Sequence, residues 1–364
     1  GDPASETLFN GPSGLAVGPE GNLYISDTYS YRVRKVARVL PDQTFTDLVI
    51  ASGDGSQVYQ FNAEGKHLRT LNALTGAVLY QFSYDSQGLL TTVADVDGDV
   101  TTVERDGTGK PTAIVGRFGQ RTTLTLDGSG YLAGVISPNN ETVQLTSGAT
   151  GLLLAMRDPK NQEYRFQYDS QGRLTRDEDP AGGFQTLART ELVQPFPAGA
   201  TSGYEVTHQT ALGHQTRYQV NQLVSGAEQL KNFLPDGTQT TSTIGTNGSS
   251  TIVDAAGNQT TLQLGGDPRW GLQSPLAKSL VVTTPSGLSS TVLSNRTVTL
   301  SDPLNPLSLT TQTDTATVNG RTYTSAFNAG TRRFTGTTPL ERQSISTIDN
   351  VGRIVETRVA GLHP

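Results

Sequence analysis

Three carboxylates stand at alternate positions in Asp95-Val96-Asp97-Gly98-Asp99, and Asp106 closes a twelve-residue span that begins at Asp95. Oxygen donors at positions 1, 3, 5 and 12 are what a calcium loop of the EF-hand type uses. The match is partial. Gly98 falls at the fourth position instead of the sixth, the closing residue is Asp instead of Glu, and no helix-forming stretch flanks the span. Among the histidines (His67, His208, His214 and His363), the six-residue step from His208 to His214 is no zinc spacing. No nucleophile elbow or phosphate-cradling loop is present, and Asp177-Glu178-Asp179 reads as an acidic turn. No enzyme activity, cofactor or metal is therefore expected, and calcium at Asp95, Asp97, Asp99 and Asp106 is the lesser alternative.

Asp106 also belongs to a repeat, which accounts for it without a metal. Asp85, Asp106, Asp127 and Asp169 lie on a ladder of 21-residue steps in which only Gly148 breaks the column. Three positions on, Gly88, Gly109, Gly130, Gly151 and Gly172 recur without exception. Ten positions further, Gly98, Gly119, Asn140, Asn161 and Gly182 form a second turn column, and Phe82, Val103, Leu124, Leu145 and Phe166 form an apolar one. Gly and Asn accept positive φ cheaply, so both Gly/Asn columns mark tight turns. Between turns the pattern alternates, with Val78, Tyr80, Phe82 and Tyr84 on one side and Leu79, Gln81 and Ser83 on the other, as a half-buried strand requires. Each unit is strand, turn, strand, turn. Two turns per unit favour antiparallel hairpins over the alternative at this period, a parallel β-helix.

Composition agrees. Of 364 residues, 51 are Thr and 40 are Gly, while charged residues make up only 16%; such a chain forms strands and turns, not helix bundles. The one helix candidate is the short segment from Ala227 to Phe233. No apolar run approaches the roughly 18 residues of a membrane helix, and a net charge of −6 argues against nucleic-acid binding. With no Cys there is no disulfide framework.

Two resemblances follow from these motifs. Residues 12–28 with Tyr31-Arg32-Val33-Arg34-Lys35-Val36 resemble one blade of an NHL-type β-propeller. Tyr84-Asp85-Ser86-Gln87-Gly88 and Tyr168-Asp169-Ser170-Gln171-Gly172-Arg173-Leu174 resemble the YD repeat of Rhs proteins, Tc-toxin cocoons and teneurins, and Asp349-Asn350-Val351-Gly352-Arg353-Ile354 restores the pattern near the end. The segment Gly266-Asp267-Pro268-Arg269-Trp270-Gly271 is similar to teneurin-type bacterial shells. The repeat residues expected to carry structure are Tyr84, Asp85, Gly88, Asp106, Gly109, Asp127, Gly130, Gly151, Tyr168, Asp169, Gly172, Arg173, Asp349, Gly352 and Arg353.

The resemblance implies an all-β hairpin meander of 21-residue repeats winding into a spiral barrel or shell, preceded by a propeller-blade remnant. The expected division is residues 1–47 for the blade, 48–190 for regular repeats and 191–364 for degenerate ones. The implied role is a non-enzymatic shell around a polypeptide cargo, secreted or at the cell surface of a bacterium. Expected partners are the remainder of a longer shell chain or neighbouring copies joined through β-edges, with no nucleic acid and no membrane span. An adhesion or self-assembling module, and more remotely a β-helix enzyme acting on polysaccharide, are the alternatives.

Overall fold

The computed structural model describes residues 11–17, 23–27, 32–36 and 47–359. The Gly21-Asn22 turn, Thr28, Arg38 and His363 lie outside them. Every element among the described residues is a strand. Backbone packing gathers residues of 1–79, 225–228 and 242–364 into unit 1, and residues 80–224 and 229–241 into unit 2.

In unit 1, β1 (Pro12–Val17), β2 (Leu23–Asp27) and β3 (Arg32–Val36) form a separate three-stranded antiparallel sheet. The next hairpins of this unit are β4 (Asp47–Ala51), β5 (Gln57–Asn62) and β6 (His67–Asn72).

Unit 2 takes up the chain along β7 (Val78–Tyr84), β8 (Leu90–Asp95), β9 (Val100–Arg105), β10 (Pro111–Val115), β11 (Arg121–Leu126), β12 (Leu132–Ile136) and β13 (Thr142–Ser147). It continues through β14 (Leu153–Arg157), β15 (Glu163–Tyr168), β16 (Leu174–Glu178), β17 (Phe184–Glu191), β18 (Ala200–Thr210) and β19 (Gln215–Leu223). β20 (Glu228–Phe233) and β21 (Gln239–Ile244) follow. The chain then returns to unit 1 with β22 (Ser249–Val253), β23 (Gln259–Asp267), β24 (Gly271–Thr283), β25 (Ser289–Leu300) and β26 (Leu309–Val318). The last strands are β27 (Arg321–Asn328), β28 (Arg333–Thr337), β29 (Gln343–Ile348) and β30 (Ile354–Val359).

Neighbours in sequence pair antiparallel from β7 to β19 and from β22 to β30. Antiparallel pairing excludes the β-helix alternative. In the segment from Ala227 to Phe233, residues 228–233 are strand β20 instead of helix. Seven residues are too few to offset helix nucleation, and the positive φ of Gly226 and the turn at Gly237 bracket the segment as one arm of a hairpin.

Unit 2 is one layer thick. Among its described residues the only buried side chains are Ala113 and Asn221. One face carries Phe82, Val93, Val103, Leu124, Val135, Leu145, Met156 and Phe166, all half-buried, brought onto one side by pairings such as Phe82↔Val93, Leu124↔Val135 and Leu145↔Met156. The opposite face carries paired charges: Arg121–Glu104 at 2.6 Å and Arg157–Glu163 at 2.5 Å across strands, and Arg176–Glu178 at 2.9 Å along β16. A one-residue bulge recurs at the Asp-Gly end of successive hairpins, leaving Thr91, Thr112, Ala133, Leu154 and Thr175 unpaired. These positions also step by 21. A bulge bends its strand and raises the local twist, so one bulge per repeat at one end curves the sheet in one sense.

Unit 1 has a core. Ala51, Val58, Leu71 and Ala73 pack with Trp270, flanked by Val49, Val78 and Leu307. A second cluster joins Leu309, Phe327 and Ile348, with Leu74 and Phe334 against it. Side chains of the β4–β6 hairpins therefore pack against a residue more than 190 positions away, Trp270.

Candidate functional site

Two arrangements stand out: the repeated turn and a polar seam in unit 1. At the turn, Gly88 donates its N–H to the Asp85 carbonyl at 3.0 Å, and the Asp85 N–H donates to the Leu89 carbonyl at 3.0 Å. Asp85 Oδ1 accepts the N–H groups of Gln87 and Leu89, both at 2.9 Å. Asp106 repeats this with Thr108 and Lys110, Asp127 with Ser129 and Tyr131, Asp169 with Gln171 and Arg173, and Asp349 with Val351 and Arg353. The carboxylate thus satisfies two backbone donors that a tight hairpin leaves without strand partners. Gly88, Gly109, Gly130, Gly151 and Gly172 hold φ between 78° and 88°, a region that costs other residues about 1–2 kcal/mol.

The two arginines of the motif close on their own turns. Arg173 Nε lies 2.7 Å from Asp169 and Arg353 Nε lies 2.8 Å from Asp349. The backbone N–H and guanidinium of Arg173 hold the Asp169 carboxyl below the usual aspartate range, and the Arg353 side chain does the same to Asp349. The Thr108 hydroxyl is the main cause for Asp106. Tyr168 donates its hydroxyl to the Leu153 carbonyl at 2.9 Å, tying the motif to β14.

The acidic run Asp95–Asp99 is divided between other partners. Asp95 Oδ1 accepts the N–H groups of Asp97 and Asp99 at 3.0 and 2.9 Å, Asp99 pairs with Arg117, and Asp106 is engaged in its own turn. Among the described residues no group of three acidic or histidine side chains converges as a metal site. His208 meets Gln185 at 2.8 Å in β18, and His214 sits in the turn before β19. In the small sheet, Arg34 pairs at 2.8 Å with the fully buried Asp27.

The seam centres on the tip joining β23 to β24. Asp267 accepts the N–H groups of Arg269 and Trp270 through Oδ1, at 2.7 and 3.1 Å. Its Oδ2 takes Arg296 at 3.0 Å, with the Asp267 side chain fully buried. Arg296 also grips Asp314 with Nε at 2.5 Å and with Nη2 at 3.0 Å. Burial alone would lower the Arg296 pKa, but the Asp314 and Asp267 carboxylates outweigh it and raise it. Arg269 donates to the Ala73 carbonyl at 2.7 Å and to Gln312 at 3.3 Å, and desolvation lowers its pKa. The Ala51 N–H reaches Gln273 at 3.2 Å, and Ser274 reaches the Gly53 carbonyl at 3.4 Å. Sequence reasoning marked this segment by similarity alone. Its chemistry was not legible because the partners lie on β4–β6, β25 and β26.

Neither arrangement assembles a nucleophile with a base. Both use ionised groups to fix backbone. Residues 46–361 match the family described as the teneurin YD-shell, and residues 9–36 match the NHL repeat. The chain belongs to the teneurin YD-shell family. Teneurin-1 of Homo sapiens is 39% identical over 75 residues, or 20% of this chain and 3% of its own length. Teneurin-1 of Gallus gallus is 38% identical over 73 residues, with the same coverage. The matches thus span about 3% of the length of these curated relatives. Among solved structures, the Photorhabdus luminescens Tc holotoxin pore aligns with a TM-score of 0.47 and 12% identity, over 85% of this chain and 18% of that one. Among the described residues no helix of this YD-shell chain is long and apolar enough to cross a membrane.

Proposed function

We propose that this YD-shell chain is a non-enzymatic wall segment that encloses a polypeptide cargo, following an NHL-type blade within about residues 1–47. The observation that carries the reading is the two-faced single layer of unit 2. A half-buried stripe from Phe82 to Phe166 backs onto a face of paired charges. Burying apolar surface contributes roughly 25 cal/mol per Å², so a stripe with no second layer among the described residues suits apolar segments of a non-native chain. The repeat residues from Tyr84 to Arg353 serve as structural staples of that wall. A secreted or cell-surface setting, and edge-to-edge joining to more shell, belong to the same reading.

The test is binding of a reduced, alkylated model polypeptide by fluorescence anisotropy. The chain is expected to bind the unfolded form and ignore the native form, and Leu145→Asp with Phe166→Asp should abolish binding while leaving the circular dichroism of the sheet unchanged. Equal affinity in the folded double variant would overturn the reading.

One observation favours adhesion as a second reading. On one face of β25–β28, Thr297↔Thr313, Thr299↔Thr311, Thr315↔Thr324, Thr317↔Thr322 and Thr324↔Thr337 form an uncharged hydroxyl ladder. Surface binding that is lost on substituting these threonines, with no loss in the stripe variants, would select it.

A further inference from the structure

The β23–β24 tip departs from its sheet. Pairing between β24 and β25 stops at Ser279↔Leu293, yet β25 stays paired with β26 as far as Leu300↔Leu309. β23 and β24 remain paired to each other down to Asp267↔Gly271, with register shifts at Gln263/Leu264 and Gly265/Asp267. Gly265, Gly266 and Gly271 lie in this tip. Bulges and glycines are where a two-stranded ribbon bends. Beyond the parting, a hollow of about 410 Å³ opens, lined by Leu276 and Ala277 on one side and by Ser294, Arg296, Asp314 and Tyr323 on the other.

We propose that residues 264–278 form a strap that clasps the β4–β6 hairpins and opens as a unit of its own, while the β25–β30 sheet stays folded. The hold combines one apolar anchor, Trp270 in the Ala51, Val58, Leu71 and Ala73 cluster, with a set of polar contacts. Arg269 to Ala73, Ala51 to Gln273 and Ser274 to Gly53 bind the strap to β4–β6, while Asp267 to Arg296, Arg269 to Gln312, Ser294 to Ala277 and Lys278 to Asn295 bind it to the sheet. Trp270 is its one large buried apolar side chain.

The closed state also carries penalties. It keeps Asp267, Arg269 and Arg296 largely out of water, and its Trp270 Nε1 and Arg269 Nε are buried with no protein acceptor. Desolvated ions and unpaired donors offset much of what a contact gains. A clasp built this way releases before a continuous ladder does, because local opening draws on the least stable contacts first.

The chain supplies its own reporter and a clean cross-linking background: Trp270 is the only tryptophan and there is no cysteine. A Cβ built on Gly55 lies 3.6 Å from the Ser274 Cβ, within the range a disulfide spans. The full chain carrying Gly55→Cys and Ser274→Cys can therefore be compared with itself, oxidised against reduced. Both forms share whatever strain Cys meets at position 55, where φ is 69°.

Urea titrations would follow Trp270 emission and, separately, the circular dichroism of the sheet. In the wild-type chain and the reduced variant, Trp270 emission is expected to shift to longer wavelength while the sheet signal is still on its native baseline. In the oxidised variant the two transitions should coincide, and acrylamide quenching of Trp270 in native buffer should fall severalfold. Coincident transitions in the wild-type chain would overturn the proposal. So would an early Trp270 transition that survives the cross-link, or failure of the pair to oxidise.

Discussion

The side-chain amide of Asn72 donates to the carbonyl of Val351 at 3.2 Å, across 279 positions of chain. The same side chain accepts the N–H groups of Leu74 and Thr75 through Oδ1 at 2.9 and 3.0 Å. It therefore caps its own turn and grips the last Asp-Gly turn of unit 1 at once.

Gly352 makes that grip possible. It holds φ at 95°, and a Cβ there would run into Asn72 Nδ2. Gly98 has a similar φ of 84° with open space around the same position. Gly98→Ala should lose about 1–2 kcal/mol from backbone strain alone, and Gly352→Ala clearly more. Asn72→Ala should lose about 1–3 kcal/mol. Urea denaturation of Asn72→Ala combined with Gly352→Ala should give less than the sum of the singles, because removing Asn72 relieves the clash. Strict additivity would contradict this coupling.

Arginine truncation should separate the two kinds of ion pair. Arg296 is 18% exposed and serves two carboxylates, one fully buried. Arg296→Met should cost roughly 3–5 kcal/mol, chiefly because Asp267 is left buried without its partner. Arg353 is 59% exposed beside Asp349, where solvent screens the pair. Arg353→Met should leave the melting temperature nearly unchanged. The comparison is made by calorimetry on both variants, and similar losses would contradict the difference in burial.

Acid should weaken the turns. The Ser52 hydroxyl, then the Ser56 N–H and hydroxyl, lower the Asp54 pKa from its ordinary 3.8 to about 2. Asp106, Asp169, Asp236, Asp254 and Asp349 are shifted the same way by their turn donors. A carboxylate depressed in the folded state stabilises above its unfolded pKa and loses that contribution as pH falls through the folded value. The melting temperature should hold above pH 4 and decline from there toward pH 2. In Asp54→Asn the decline should be shallower.

The turns were legible in sequence because each solves a local problem. Positive φ demands Gly or Asn, and the free N–H groups demand an acceptor two and four residues earlier, so chemistry and spacing repeat together. The bulges at Thr91, Thr112, Ala133, Leu154 and Thr175 also step by 21, but no residue type marks them, because a bulge is a property of a pair of strands. The seam was illegible for a stronger reason. Arg269 and Ala73 are 196 positions apart, and Ala51 and Gln273 are 222 apart. Nothing near either residue encodes the meeting. Ala227 to Phe233 misled because a segment that short has no period of its own strong enough to override its hairpin.

The second turn column offers a direct test of whether backbone geometry or side chain selects its residues. Asn140 and Asn161 hold φ at 63° and 65° where the rest of the column has Gly. If geometry rules, Asn140→Gly should stay within about 0.5 kcal/mol of the parent, while Asn140→Val should cost about 1–2 kcal/mol, since a β-branched residue is the worst fit to this region. Asn161 adds a side-chain contact, accepting from Arg157 at 3.0 Å. Arg157 keeps Glu163 at 2.5 Å when that contact is removed, so Asn161→Gly should be nearly as mild. Urea midpoints at unchanged slope measure all three. A large loss in both Gly variants would mean that the amide groups, and not the left-handed backbone, hold these turns.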